Sequence, residues 1–314
     1  MSRPTILRVP PLSPQLHDAV AERYDAVDPG DLATRAGDVV GIVVSNSGPV
    51  SGELIASLPR LGVIANHGVG YDNIDLAAAL DRGIAVSNTP EVLDDAVAET
   101  ALALLLAVRR RVVVADRFVR EGQWLQGAFP LTDQLAGSRV GILGLGRIGR
   151  AVATRLEAFG CTVSYHNRRQ VPGVPYAYAT SAVELAESVD SLVAVVPGGD
   201  DTAALVDRAV LDALGPAGVL VNIARGSVVD QRALVDALHE GRLGGAGLDV
   251  YADEPHVPVE LTTMDNVVLL PHVGSATHAT RAAMRALTLD NLASWLADGT
   301  LRTPIPEMAD QPAQ

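Results

Sequence analysis

Apolar runs of strand length alternate with longer segments of helical period from one end of this chain to the other. That alternation calls for parallel strands joined by crossover helices, an α/β architecture. In the first third, strands are expected at 5–9, 39–44, 61–66 and 84–87, with helices at 51–57 and 76–81 between them. Gly83 supplies a stop for the second of these helices. A long helix is expected from about 93 to 121, opening the crossover into a second domain. A fresh strand series follows at 139–143, 161–165, 191–196, 218–222, 247–249 and 267–270. A last helix is expected at 278–298, and the Pro-rich ending RTPIPEMADQPAQ is expected to be partly loose. At 314 residues there is chain enough for two cores.

Composition narrows the function. Hydrophobic residues make up 48%, which excludes a disordered chain. Lys and Arg number 24 against 37 Asp and Glu, a balance of −13 that disfavours nucleic acid as a partner. The single cysteine, Cys161, cannot form an internal disulfide. The opening MSRPTILRVPPLSP is broken by prolines before any signal-peptide core. The longest apolar stretch, 101–108, runs into Arg109, Arg110 and Arg111, too short for a membrane span. A soluble cytoplasmic protein is expected, with no membrane partner and no metal.

Residues 140–149 read VGILGLGRIG, placing Gly144, Gly146 and Gly149 in the spacing G-x-G-x-x-G. The pattern alone is weak in a chain with 29 glycines, but here an apolar strand precedes it and a helix follows. Gly144 would permit the tight turn, Gly146 the approach of a pyrophosphate, and Gly149 close helix–strand packing. The helix N-terminus then offers N–H groups and a positive dipole to the anion. A dinucleotide cofactor is expected. The end of the next strand reads SYHNRRQ, with Asn167, Arg168 and Arg169 where an NAD site usually carries an acid. An acid would repel a 2′-phosphate, whereas two guanidiniums bind it, so NADP(H) is expected in preference to NAD(H). A merely solvated basic loop is the alternative.

Three later patches, VNIARGSVVD, GLDVYADEP and NVVLLPHVGSAT, each pass from an apolar strand to a charged or titratable residue. Ligands of open α/β sheets lie at the carboxyl ends of strands, so Arg225, Glu254 and His272 could converge there. Taken singly, Arg225 could cap a turn, Glu254 could be solvated and His272 could be structural. Spacing alone does not bring them together.

The glycine turn and these three runs, in this order and spacing, resemble the D-isomer-specific 2-hydroxyacid dehydrogenases. The resemblance covers nearly the whole chain, VGYDNIDLAAALDRGIAVSNTP in the first third included. It is nearest to the NADPH-linked glyoxylate/hydroxypyruvate and hydroxyphenylpyruvate reductases. It implies reduction of a small 2-oxo acid to the D-2-hydroxy acid. In that chemistry His272 would donate the proton, with Glu254 on its other ring nitrogen favouring the imidazolium. Arg225 would grip the substrate carboxylate and polarise the keto oxygen. Substrate contacts are implied for Asn46, Val69, Gly70 and Ser275. Cofactor contacts are implied for Arg147, Ile148, Val196, Pro197, Thr202, Ile223, Ala224, Asp249 and Gly274. The chain departs from the family at VPGGDDT, where Cys-Pro-Leu-Thr-x-x-Thr is common.

The fold so implied is two Rossmann-like, doubly wound parallel-sheet domains with a cleft between them. Residues 1–98 and 284–314 would bind substrate, and the inserted residues 99–283 would bind NADP. Residues 120–137, with Trp124 and Phe129, resemble the family's arm around a second subunit, implying a homodimer; a locally packed loop is the alternative. The rival of another class is a dinucleotide-sensing corepressor of the same fold, whose longer tails and NAD-type acid this chain lacks.

Overall fold

The structure, a computed structural model, describes residues 3–308. It divides into two compact units, Met1–Leu93 with Thr277–Gln314, and Asp94–Ala276. Both divisions fall just before a long helix, a few residues ahead of positions 98 and 284. Each of these helices serves one sheet along its length. Leu289 and Leu292 of helix His278–Asp298 join Ile6, Val43 and Val63 in the first unit. Leu104 and Val108 of helix Asp94–Arg109 lie against Gly245 and Gly247 in the second.

In the first unit β1 (Thr5–Val9), β2 (Asp25–Val27), β3 (Val39–Ser45), β4 (Val63–His67) and β5 (Ala85–Ser87) form a sheet in the order β2-β1-β3-β4-β5. Every ladder in it is parallel. Alternate side chains enter opposite cores: Ile6 and Val43 one, Leu7, Ile42 and Val44 the other. Helices cover both faces of such a sheet, so its strands are apolar on both.

The second unit holds β6 (Arg139–Leu143), β7 (Thr162–His166), β8 (Ala177–Tyr178), β9 (Ser191–Ala194), β10 (Val219–Asn222), β11 (Gly245–Leu248) and β12 (Val267–Leu269). Their order is β12-β11-β10-β9-β6-β7-β8, again parallel throughout. The chain winds outward from β6 to β8, then returns to β9 on the other side of β6. The carboxyl ends of β6 and β9 therefore flank a topological switch point, where α/β sheets bind ligands.

Two expectations are corrected, and the tail is described as far as Met308. The long helix over 93–121 is two helices, Asp94–Arg109 and Val112–Arg120, separated at Arg111, whose φ is +49°. The first buries Ala96, Ala101, Leu102 and Leu105 among others, and the second buries nothing, so the chain turns where burial ends. The tail is anchored through Met308: Ile305 is fully buried and donates its N–H to Val86 O, while Pro304 bridges Ser87. The remainder of that tail, 309–314, lies outside the described residues. Finally, β11 starts at Gly245 and ends before Asp249, which belongs to the following loop.

His67, at the end of β4, is 4% exposed and its Nδ1 lies 3.1 Å from Thr288 Oγ1. Burial, reinforced by Arg281 and Arg285, lowers its pKa to about 4, against a small opposing effect of the Met284 backbone. The unfolded chain thus takes up a proton near pH 6.5 that the folded one refuses. Stability should fall as pH drops from about 6.5 toward 4, by on the order of 3 kcal/mol from this residue. Melting curves across that range should show a shallower acid loss in His67→Gln; an unchanged slope would contradict the assignment.

Candidate active site

The glycine turn follows β6. Gly144 has φ +108°, and a Cβ there would lie 2.8 Å from Val196 Cγ1 and 2.9 Å from Val196 N. Left-handed backbone and close packing together require glycine at this point. A Cβ on Gly149 would fall 2.2 Å from Gly144 O, so helix Arg147–Ala158 can approach the strand only without one. Gly146 differs, since nothing lies within 4 Å of its Cβ direction. Gly146 is also the N-cap, with no side chain closing the helix N-terminus. An open approach to uncapped N–H groups is what a pyrophosphate needs.

The turn is held from β7. Asn167 Oδ1 accepts the Leu145 N–H at 2.6 Å, and the Asn167 carbonyl accepts from Tyr178 Oη at 3.1 Å. Arg147 Nε stands 3.5 Å from Asp94 Oδ2, with Ile148 following it in the first helical turn. Arg168 and Arg169 are exposed. Arg168 donates to Asp201 Oδ2 at 2.9 Å, a partner that sequence reasoning missed. Both side chains are largely in water, so this pair adds little stability. Thr202 closes its own loop, donating to Pro197 O at 2.7 Å. No acid stands in the loop directly after β7, so the turn and its surroundings fit a dinucleotide, including one with a 2′-phosphate.

Beyond β10, Asn222 organises the turn that presents Arg225. Its Oδ1 accepts the Ala224 N–H and its Nδ2 donates to Arg225 O, both at 3.0 Å. Ile223 and Ala224 are buried and Arg225 is half-buried. A Cβ on Gly226 would lie 1.9 Å from the Tyr251 carbonyl, so the loops after β10 and β11 touch backbone to backbone.

After β11 and β12 come the titratable groups. His272 Nδ1 donates to Glu254 Oε2 at 2.7 Å, and the Tyr251 N–H donates to Glu254 Oε1 at 3.1 Å. Burial pushes the Glu254 carboxyl up. The His272 hydrogen bond and charge, the Tyr251 N–H and the Arg225 charge outweigh it, holding the group below its ordinary pKa. Glu254 is therefore ionised at neutral pH and orients the His272 ring. His272 has φ +54°, an uncommon conformation for a residue with a side chain.

Asp249 explains how that backbone is held. Its carboxylate, 2% exposed, accepts the Val273 N–H at 2.7 Å and the Gly274 N–H at 2.8 Å. Its carbonyl accepts the His272 N–H at 2.8 Å. Burial raises its pKa, against those two amides. The sequence reading gives Asp249 a cofactor contact; the structure places both of its oxygens on the loop that carries His272, Gly274 and Ser275.

Asn46, Val69 and Gly70 belong to the first unit, on the loops after β3 and β4. There Gly68 packs against Asn46, whose Cβ would meet an added Cβ at 3.0 Å. Among the described residues no group of three or more His, Cys, Asp or Glu is placed to hold a metal ion. No described helix is long and apolar enough to cross a membrane.

Residues 102–274 match the NAD-binding domain of the D-isomer-specific 2-hydroxyacid dehydrogenases. The glyoxylate/hydroxypyruvate reductase A of Arabidopsis thaliana is 45% identical over 307 residues, covering 96% of this chain and 98% of that protein. The hydroxyphenylpyruvate reductase of Plectranthus scutellarioides is 48% identical over 274 residues, 87% of this chain and 88% of that one. Among solved structures, the NADPH-dependent glyoxylate/hydroxypyruvate reductase of Sinorhizobium meliloti, in complex with NADP and malonate, superposes with a TM-score of 0.94. It is 45% identical, and each chain is covered in full. The chain belongs to the D-isomer-specific 2-hydroxyacid dehydrogenase family. Within that class it is an oxidoreductase that uses a nicotinamide dinucleotide.

The glycines make a paired prediction. Gly149→Ala should destabilise the fold by about 2 kcal/mol or more, read as a lowered melting temperature. Gly146→Ala should leave melting nearly unchanged yet weaken dinucleotide binding about tenfold or more, because its methyl occupies the open approach. Equal effects of the two variants on melting would contradict these roles.

Proposed function

We propose that this enzyme reduces glyoxylate or hydroxypyruvate to the D-2-hydroxy acid with NADPH. The observation that carries this reading is the His272–Glu254 pair, 2.7 Å between Nδ1 and Oε2 and within the electrostatic reach of Arg225. All three residues follow strands of the sheet that begins with the glycine turn. Arg225 holds the substrate carboxylate and draws electron density toward the keto oxygen, helped by the Val69 and Gly70 N–H groups. Asn46 and Ser275 line the substrate. Bound reduced nicotinamide supplies the hydride to the keto carbon. His272 gives the Nε2 proton to the keto oxygen as negative charge builds there, and keeps its Nδ1 proton, which is donated as a hydrogen bond to Glu254. The neutral ring regains a proton from water once the product has left.

Gly144, Gly146, Arg147, Ile148 and Gly149 would hold the cofactor's pyrophosphate, and Asn167, Arg168 and Arg169 its 2′-phosphate. Val196, Pro197, Thr202, Ile223, Ala224 and Gly274 follow along the strand ends, with Asp249 acting through the loop it clamps. The exposed Asp201 partner is weak enough for a phosphate to displace it from Arg168. Named relatives that reduce glyoxylate and hydroxypyruvate, one of them NADPH-dependent, support the substrate and the cofactor preference.

A homodimer is part of the same reading. Val112, Val113, Val119, Trp124, Leu125 and Leu131 are each at least half exposed on or near helix Val112–Arg120. A patch of this kind is usually covered by a second subunit. The check is the mass in solution: twice 32.7 kDa is expected, and a monomer at micromolar concentration would contradict it.

The activity is tested by following nicotinamide absorbance with glyoxylate, hydroxypyruvate and hydroxyphenylpyruvate in turn, with NADPH and with NADH. Turnover with NADPH on the two smaller acids is expected; faster turnover of hydroxyphenylpyruvate would reassign the substrate. Replacing Arg168 and Arg169 together by Ala should raise the KM for NADPH about tenfold or more and change that for NADH little. Equal changes for the two cofactors would remove the 2′-phosphate assignment.

A further inference from the structure

The loop after β4 has every carbonyl from 68 to 70 tied down. Gly68 O accepts the Thr89 N–H at 2.9 Å and Asn66 Nδ2 at 3.2 Å. Val69 O accepts Asn88 Nδ2 at 2.9 Å, and Gly70 O accepts Asn66 Nδ2 at 2.8 Å. A peptide unit is planar and trans, so fixing the carbonyl of one residue fixes the N–H of the next on the opposite edge. The bonds on Gly68 O thus aim the Val69 N–H, and the Asn88 bond on Val69 O aims the Gly70 N–H.

Asn88 is in turn held by the end of the chain. Its carbonyl accepts the Thr303 hydroxyl at 2.7 Å, and its N–H reaches Thr303 O at 3.3 Å. Thr303 is fixed by Asn291 of helix His278–Asp298: the Thr303 N–H donates to Asn291 Oδ1 at 2.9 Å, and Asn291 Nδ2 donates to Thr303 Oγ1 at 2.8 Å. Asn291 is fully buried and Asn88 is 6% exposed. Burial leaves water little chance to replace these partners, so each bond is hard to exchange. Two further contacts secure the same segment. Tyr71 Oη bonds the Glu307 carboxylate at 3.0 Å, and Ile305 donates to Val86 O.

We propose that Asn88 and Thr303 are positioning residues for substrate binding, and that the segment from 303 to 307 is a strap aiming the Val69 and Gly70 N–H groups at the substrate carboxylate. This rests on the reading of those two N–H groups as carboxylate donors. The strap touches no reacting atom. It holds two donors in place before the carboxylate arrives, so binding need not order the loop. Thr303 is suited to this because one hydroxyl donates to Asn88 and accepts from Asn291 at once.

The test uses the full chain with Asn88→Ala, Thr303→Val and Thr303→Ser. Amide hydrogen exchange across 68–71 and the KM for the 2-oxo acid are read beside kcat and NADPH affinity. Asn88→Ala should raise the KM about tenfold and Thr303→Val about threefold or more, with kcat and NADPH affinity within about twofold. Exchange should quicken at 68–71 in both, and Thr303→Ser, which restores the hydroxyl, should recover the KM. Wild-type turnover with unchanged KM in Asn88→Ala and Thr303→Val overturns the strap alone, whether or not exchange quickens. A parallel loss of KM, kcat and NADPH affinity overturns it too, as general damage. Absence of 2-oxo acid turnover in the wild type overturns the proposed function, and the strap with it.

Discussion

The arrangement of the His272–Glu254 pair depends on one buried carboxylate. Asp249 spends both oxygens on the Val273 and Gly274 N–H groups, and its carbonyl on the N–H of His272. Three bonds from one residue over-determine the backbone of the loop after β12. That lets His272 keep a positive φ which an isolated residue with a side chain would leave, at a cost of about 1 kcal/mol or more. Glu254 then needs only to accept from Nδ1 to fix the ring. Removing the Asp249 carboxylate would release the loop that carries His272.

The same economy of placement runs through the second unit. Each polar residue of the site stands just past the carboxyl end of a strand, and small residues let neighbouring loops meet. Gly226 presses on the Tyr251 backbone and Gly149 on Gly144. Asn222 and Asn167, two amides without a catalytic part, hold the turns that present Arg225 and the glycine-rich loop. In the first unit Asn66 and Asn88 do the same for the loop after β4. Side-chain amides suit this work because they satisfy backbone donors and acceptors without bringing charge near an anionic ligand.

Much of this was legible in the amino-acid sequence, for identifiable reasons. Strands β1, β3, β6 and β10 are apolar runs bounded by turn residues, and they lie where those runs do. Strands β2 and β8 are edge strands of three and two residues, too short to carry a period. Gly245 and Gly247 blur the start of β11, expected two residues later, because glycine is a poor strand former that is used here to admit Leu104 and Val108. The break at Arg111 follows from where burial stops, which no local propensity reports. In the site, the glycine turn has recognisable spacing, and the acid–histidine pair is named only through the family resemblance of the runs that carry it. The clamp by Asp249, the Arg168–Asp201 pair and the strap at Thr303 have no such signal, because they join residues 24, 33 and 215 apart. Contacts so distant in sequence leave no short motif.

The central claim is that His272, oriented by Glu254, delivers the proton that reduction of a 2-oxo acid requires. The most direct measurement is single-turnover oxidation of bound NADPH by His272→Ala, beside its affinity for NADPH. The account predicts turnover lowered by about a hundredfold or more with NADPH affinity nearly unchanged. Turnover close to that of the wild type, from protein that binds NADPH normally, would contradict it.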